Sequence, residues 1–570
     1  MRTTRGDSLV LIALILVLVL GFGCEGGGFS VKAPVPDAGD QPGNGDTGGG
    51  DTGGGDTGGG DTDDGDTGDG DTGGGGGTPD VRFAGTWVGS FSDDRTTSSA
   101  QFGQIQYAAR LRIRQRGNEI SGTGTLFRVF RQGPTASNRI NVQMSGTASG
   151  DDAVFTLESG SGGLDQPQNW YVRLAGSRMA GMYASTDDNG VLNRSGHAVW
   201  HETSGGVLDS TPWAAAYADE FGFTGFPVRS RTASITLARE EAAITGNGTF
   251  YEQLQTPPEV NFDIIRGGLS GAEVGFTFGG VDLVDNEVDW FGFFGGNVME
   301  TAYGQFDASD SLIRFGHTTW VRAPVQDLTA INGVWAGSFR DRTIVSPNQP
   351  EDFIGVLNLT VNAGGELTGY ALIRNEADDA PSFLRYNIDS GSIVGTRVQI
   401  SMSRVTGAFF WDLRLADGVL VGSYERFIGA QNRSIATGHA EFRIMTSPGT
   451  LRGTWTAAYV DTYGAVSPEQ SQLAAVTVSS QTAPNASFSG FGFLRFAGES
   501  RRRLFNVNGE VSSGDIVWQW RGSDLFGDTI WHLRRCNNLL YGTYTNYTSG
   551  GAVESRGIGM WMRSSFSSSF

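Results

Sequence analysis

The sequence predicts an all-β fold: four tandem antiparallel modules of eight strands each, preceded by a disordered Gly/Asp-rich linker. Three observations predict it. A short tryptophan-centred stretch occurs four times at nearly constant spacing. Runs of alternating polar and apolar residues, separated by turn residues, fill each interval without a helical period. Each interval also ends alike, on a strand that begins with Gly and reaches an aromatic.

The opening stretch comes first in each module. It is Gly85-Thr86-Trp87-Val88-Gly89-Ser90-Phe91, then Pro212-Trp213-Ala214-Ala215-Ala216-Tyr217, Gly333-Val334-Trp335-Ala336-Gly337-Ser338-Phe339 and Gly453-Thr454-Trp455-Thr456-Ala457-Ala458-Tyr459. Successive tryptophans lie 126, 122 and 120 residues apart, which sets modules at 81–206, 207–327, 328–447 and 448–570. Modules one and three share Trp-x-Gly-Ser-Phe. Modules two and four share Trp-x-Ala-Ala-Tyr-x-Asp, followed by Phe221-Gly222 and Tyr463-Gly464. The pattern reads as a duplicated pair.

Module one shows the remaining strands in order. Arg110-Leu111-Arg112-Ile113-Arg114 alternates with the period of a half-buried strand. Arg116-Gly117-Asn118-Glu119 turns the chain, and Ile120 to Phe127 returns. Ile140, Val142 and Met144 mark the fourth strand, with Gly150-Asp151-Asp152 as its turn. Phe155 and Leu157 lie on the fifth, and Trp170, Val172 and Leu174 on the sixth. Met179 to Ala184 is the seventh. Asp188-Asn189-Gly190 follows as a tight turn, since Asn-Gly tolerates positive φ. The eighth runs from Ser195 to His201. In module three, Leu357, Leu359 and Val361 alternate, Asn362-Ala363-Gly364-Gly365 turns, and Glu366 to Tyr370 returns.

The four closing strands carry Gly196-His197-Ala198-Val199-Trp200, Gly316-His317-Thr318-Thr319-Trp320, Gly438-His439-Ala440-Glu441-Phe442 and Gly557-Ile558-Gly559-Met560-Trp561. Alternation places Trp200, Trp320, Phe442 and Trp561 toward the core with the opening Trp87, Trp213, Trp335 and Trp455; we read all eight as structural. It places the three histidines outward, as half-exposed strand residues or module contacts. An eight-stranded antiparallel sheet loses its unpaired edges by closing into a barrel, although alternation alone also fits a two-sheet sandwich.

The early Trp, the Leu367-Thr368-Gly369-Tyr370 hairpin and the aromatic on the last strand resemble the layout of avidin and lipocalin up-and-down barrels. That resemblance implies a first-strand Trp across a closed end and an open end able to hold a small ligand. The polar residues that grip biotin in avidins have no counterpart here, so that ligand is not implied.

Ahead of the modules, Met1 to Cys24 reads as an export signal. Arg2 and Arg5 precede an apolar run from Leu9 to Leu20, about 18 Å long as a helix and too short for a bilayer core of about 30 Å. Gly21-Phe22-Gly23-Cys24 resembles the lipobox of bacterial lipoproteins, with Gly21 where Leu is usual and Leu20 one place earlier. The resemblance implies that Cys24 is lipidated and becomes the mature N-terminus, which makes the chain an outer-membrane lipoprotein on the periplasmic or cell-surface face. Cys536, the second of two cysteines, is expected as a small buried hydrophobe.

Residues 25–80 repeat Asp46-Thr47-Gly48-Gly49-Gly50 as a pentapeptide and fit a solvated spacer, which cannot bury enough apolar surface to order itself. The five-residue unit does not match the nine-residue calcium-binding glycine repeat. With thirteen acids and Lys32, the spacer carries −12 of the chain's net −20; the signal carries +1, which leaves −9 for residues 81–570. This acidic balance excludes nucleic acid as a partner. Arg501-Arg502-Arg503 is the densest basic run and is expected to cap a hairpin in solvent.

Motifs of chemistry are absent. There is no nucleophile elbow, zinc helix or phosphate loop. His197, His317 and His439 bring no second ligand at a repeating spacing, so no metal or cofactor is expected. Most acids fall in turns, such as Asp151-Asp152 and Asp378-Asp379, and are expected to be solvated; no catalytic residue is assigned. Counting back from Phe570 by twos meets Ser568 and Ser564, which does not fit a lipid-facing barrel strand. The expected function is non-enzymatic binding by a lipid-anchored exported protein, the ligand being a protein, a glycan or a small apolar molecule. The alternatives are a small-ligand carrier using barrel interiors and a carbohydrate-active enzyme whose carboxylates no motif reveals.

Overall fold

The computed structural model describes residues 82–564 except 97–103, 131–137, 161–162, 204, 223–227, 254–258, 281–286, 310, 325–326, 345–349, 363, 378–381, 429–432, 447–448, 462, 465–470 and 526. Each run of eight strands closes on itself, with neighbours in sequence order and the first strand paired to the last. All four units are therefore up-and-down barrels, which decides against the sandwich. They span Gly85–Thr203, Trp213–Arg322, Gly333–Ile444 and Gly453–Arg563.

The sequence-level strands lengthen slightly. In barrel 1 the second strand is Ile105–Arg116, the third Glu119–Phe130 and the last Leu192–Thr203. The first hairpin needs two turn residues, with Gly117 at φ 58°. Every first strand is interrupted at the equivalent aspartate, Asp93, Asp219, Asp341 or Asp461. Barrels 1 and 3 show a register shift between Asp93 and Arg95 and between Asp341 and Thr343. In barrels 2 and 4 the strand splits into Trp213–Ala218 with Phe221–Gly222, and Gly453–Val460 with Tyr463–Gly464. Such bulges bend and coil a strand, as barrel closure requires.

The interiors are filled by one aromatic arrangement built four times. Trp170, Trp290, Trp411 and Trp531 meet the last-strand Trp200, Trp320, Phe442 and Trp561 edge to face at 5.2–5.3 Å. From the first strand, Phe91, Tyr217, Phe339 and Tyr459 approach the same tryptophans edge-on at 5.0–5.3 Å. Such geometry sets the positive ring edge against the negative face. All thirteen tryptophans are at most 1% exposed. Trp87, Trp335 and Trp455 lie where the chain enters and donate Nε1–H to the carbonyl four residues back, on Phe83, Ile331 and Leu451; Trp213 lacks that bond.

The recurrent glycine at the start of each closing strand has a steric reason. A β-carbon on Gly196, Gly316, Gly438 or Gly557 would come within 2.5–2.7 Å of Tyr183, Tyr303, Tyr424 or Tyr544. No side chain fits beneath those rings.

The barrels pack in a ring. Val88, Ala108, Phe127 and Val129 of barrel 1 meet Phe293, Ala302 and Phe315 of barrel 2. Ala214 and Val321 of barrel 2 meet Ala416, Val419 and Val421 of barrel 3. One cluster then joins barrel 4 to both remaining neighbours: Cys536, Leu539 and Met562 lie with Ala336 and Val356 of barrel 3 and with Ala180 and Met182 of barrel 1. Cys536 is 2% exposed in this seam, and burial pushes its thiol up to about 12.

Candidate functional site

Each barrel turns its closing strand toward the hub of the ring, because that strand and the first strand carry the residues that face neither core nor solvent. A cavity of about 530 Å³ results, lined by side chains from all four barrels. Its polar groups form two layers. His197 and His201 belong to different layers and are four residues apart on one strand, so the layers are separated by about 13 Å.

The first layer gathers His197, His317 and His439, with Ile558 at the fourth equivalent position. Asp94 accepts from Ser471 Oγ at 2.7 Å and lies 2.6 Å from His197 Nδ1. His317 Nδ1 lies 2.8 Å from Gln106 Oε1, and Arg342 stands 3.5 Å from Glu220. His439 Nδ1 is buried and has no hydrogen-bond partner among the described residues. Their protonation diverges. Desolvation lowers all three histidines, but Asp94, with Glu220 behind it, outweighs it at His197, whose pKa rises. His317 is lowered by desolvation, with Arg342 and His197 adding to it. His439 falls to about 3 through desolvation and Arg342. Desolvation works against charge on Glu220 too, yet Arg342 and the facing histidines hold it below the usual glutamate range.

The second layer holds Arg178, His201, Glu441, Arg443 and Tyr541. Tyr541 donates to Glu441 at 2.7 Å, and Arg443 Nε reaches Glu441 at 2.7 Å and Tyr541 at 3.0 Å. Behind this wall, Glu300 of barrel 2 accepts from Ser90 of barrel 1 at 2.6 Å and from Thr319, with His201 at 3.4 Å. Burial pushes Glu300 up to about 7. Desolvation, with Arg178 and Arg443 close by, takes His201 down to about 3.

Twice a carboxylate stands between a serine and a histidine: Asp94 between Ser471 and His197, Glu300 between Ser90 and His201. A hydrolytic triad needs the histidine in the middle, where it can take the serine proton. In both clusters the serine donates its hydrogen bond to the acid and not to the histidine, so neither has the order of a serine–histidine–acid triad. No group of three His, Cys, Asp or Glu with metal-holding geometry occurs among the described residues.

The eight structural aromatics lie in the barrel cores, away from this cavity. Cys24, the 25–80 spacer, Asp378-Asp379 and Phe570 lie outside the described residues. Two expectations need correction. Asp151 is not a solvated turn acid: it is 6% exposed and pairs with Arg82 and Arg173. Of the Arg501 to Arg503 run, only Arg501 is mainly in solvent; Arg502 reaches Asp152 of barrel 1 at 3.3 Å and Arg503 pairs with Glu499.

Sequence reasoning missed a buried acid in every barrel. Asp93, Asp219, Asp341 and Asp461 follow the opening tryptophan by six residues and accept from Tyr183, Tyr303, Tyr424 and Tyr544. An arginine joins in the first three, namely Arg194, Arg231 and Arg426. The repeated Trp-to-Asp spacing was the available signal.

No family model matches the chain, and no curated protein matches it. Among solved structures it is similar to a protein of unknown function of the DUF3598 family from Nostoc punctiforme PCC 73102, at 11% identity over 41% of this chain and 97% of that one, TM-score 0.17. It is also similar to a vaccine antigen, transferrin binding protein B from Haemophilus parasuis Hp5, at 9% identity over 70% and 85%, TM-score 0.19. An intact transferrin binding protein B with N and C lobes matches at 9% identity over 68% and 84%, TM-score 0.17. At these values nothing passes from them to what this chain binds.

Proposed function

We propose that the chain is an exported, lipid-anchored binding protein without catalytic activity, and that its ligand sits in the cavity at the hub of the ring. The observation that carries this reading is the division of labour between the two kinds of interior. Barrel cores are filled by their own aromatics, so the carrier reading has no support from them. The hub cavity has the volume of a small-molecule site and presents arginines, carboxylates and a histidine nitrogen left unpartnered. With both charge signs present in each layer, it suits a small polar molecule bearing both, such as an amino acid or short peptide.

A thermal-shift screen of the mature chain against amino acids, short peptides, carboxylates and sugars tests the site. A true ligand raises the unfolding temperature, and His439→Ala or Arg342→Ala removes the effect. A ligand bound equally well by both variants sits elsewhere and ends the proposal. Anchoring is tested separately: palmitate labelling and recovery in the outer-membrane fraction are both expected to be lost in Cys24→Ser.

A further inference from the structure

The second strand of barrel 1, Ile105–Arg116, buries Leu111 and Ile113 and turns Arg110, Arg112, Arg114 and Arg116 outward. Arg110 pairs with Glu273 of barrel 2 at 3.2 Å. The other three are exposed, and none forms an ion pair with a described residue. Side chains two apart on a strand repeat at about 6.7 Å, so the three guanidinium groups form a stripe about 13 Å long. Beside it the sheet offers neutral acceptors, with Thr123 and Ser121 opposite Arg112 and Arg114, and Gln143 and Ser145 beyond. Glu119 opposite Arg116 and Glu158 next to Gln143 are the acids on these neighbouring strands at this level. An unpaired basic stripe stands out on a folded region that is acidic overall.

The chain also enters the fold at this place. Phe83 N donates to Gln115 Oε1 at 3.0 Å, and Gln115 lies between Arg114 and Arg116. The acidic segment Asp61–Asp71, with six aspartates in eleven residues, ends eleven residues before Arg82. Eleven residues reach up to about 37 Å when extended, so the segment comes to the stripe with chain to spare. A short connection able to span two sites holds them at millimolar effective concentration.

We propose that the acidic segment Asp61–Asp71 docks on the Arg112, Arg114 and Arg116 stripe of barrel 1, folding the tether back and masking the stripe from other polyanions. The contact is electrostatic and gives way to salt, because the groups are exposed.

The test uses the chain without its signal and lipid-bearing cysteine, from Glu25 to Phe570. At about 20 mM salt the amide signals of Asp61–Asp71 are expected to be shifted and broadened, and at about 500 mM salt, or in Arg112→Glu/Arg114→Glu, to become as sharp as those of Asp46–Asp56. Identical spectra in the native chain and the variant overturn the proposal. A second variant leaves the folded region untouched: the six aspartates are changed to asparagine. Its stripe is unmasked, so retention on heparin rises above that of the native chain and is lost again when the arginine changes are added. Equal retention by the native and asparagine chains overturns the proposal. So does binding to phosphatidylglycerol vesicles that needs the arginines while the tether signals stay sharp, since the stripe would then serve a membrane.

Discussion

Tyr544 donates its hydroxyl to Asp461 across 2.6 Å inside the fourth barrel, at the position where the other three barrels add an arginine. Among the described residues its side-chain hydrogen-bond donors, Tyr544, Gln472 and Ser555, are all neutral. Burial raises its pKa to about 6, and hydrogen bonds from Tyr544, Gln472 and Ser555 offset the rise in part.

A raised carboxyl binds its proton more tightly in the folded state. Its contribution is therefore present below the unfolded pKa near 4 and is lost as pH rises through about 6. We expect barrel 4 to lose about 2–3 kcal/mol between pH 4 and pH 7 from this group, and Asp461→Asn to flatten that slope. Urea unfolding followed across that range checks it; an unchanged slope in the variant refutes the assignment.

Trp87→Ala is expected to cost about 3–5 kcal/mol through the cavity it leaves. The side chain lies inside barrel 1, and the ring contact is made from the opposite face of the same strand by Val88. Barrels 2, 3 and 4 should therefore keep their cores. Calorimetry would then show one transition moving down while the rest stay; a uniform shift would mean that the ring unfolds as a unit.

The barrel architecture was legible because its signals are local. Alternation, turn glycines and the Trp87, Trp213, Trp335 and Trp455 repeat each occupy a few residues. Even the outward direction of His197, His317 and His439 followed from period two. What those histidines meet did not follow, since it depends on how four barrels pack. Asp94 meets Ser471, 377 residues away, and Ser90 meets Glu300, 210 residues away. The outer apolar positions that build the seams, such as Val88, Ala180 and Ala336, look like ordinary tolerated surface residues in any one strand. Asp151 departs from the expectation for a related reason: a turn acid is solvated unless another segment covers it, and Arg82 and Arg173 do so.

Cys536 lies in the seam of barrels 3 and 4 with its thiol near the carbonyls of Ala336 and Arg443. With a pKa pushed up to about 12 and 2% exposure, it has almost no thiolate at pH 8. In the chain from Glu25 to Phe570, where Cys536 is the single cysteine, we expect a chromogenic disulfide reagent to label it only at the slow rate at which the seam opens. Immediate labelling at pH 8 would show that the seam is open in solution.

Gly438 tests the steric account of the closing strand. A methyl there would meet the Tyr424 ring at 2.6 Å and the Arg340 carbonyl closer still. Gly438→Ala should cost about 1–3 kcal/mol by overpacking, and Gly438→Ala with Tyr424→Phe should recover little, since the ring and the carbonyl both remain. Wild-type stability in Gly438→Ala would mean that the ring moves freely.

Glu300 joins barrels 1 and 2 by accepting from Ser90, and burial raises its pKa to about 7. The sign is that of Asp461: the stabilising proton is held below the unfolded pKa near 4.5 and is lost as pH rises through about 7. The seam should therefore weaken between pH 5 and pH 8. Glu300→Gln keeps an acceptor for Ser90 and Thr319 without the buried charge, and is expected to stabilise the chain by about 2 kcal/mol at pH 8 and to change little at pH 4. Unfolding of both chains at the two pH values separates this from a packing effect, which would be equal at each. If the variant is weaker at pH 8, the carboxylate is ionised in the native seam and His201 carries the compensating proton.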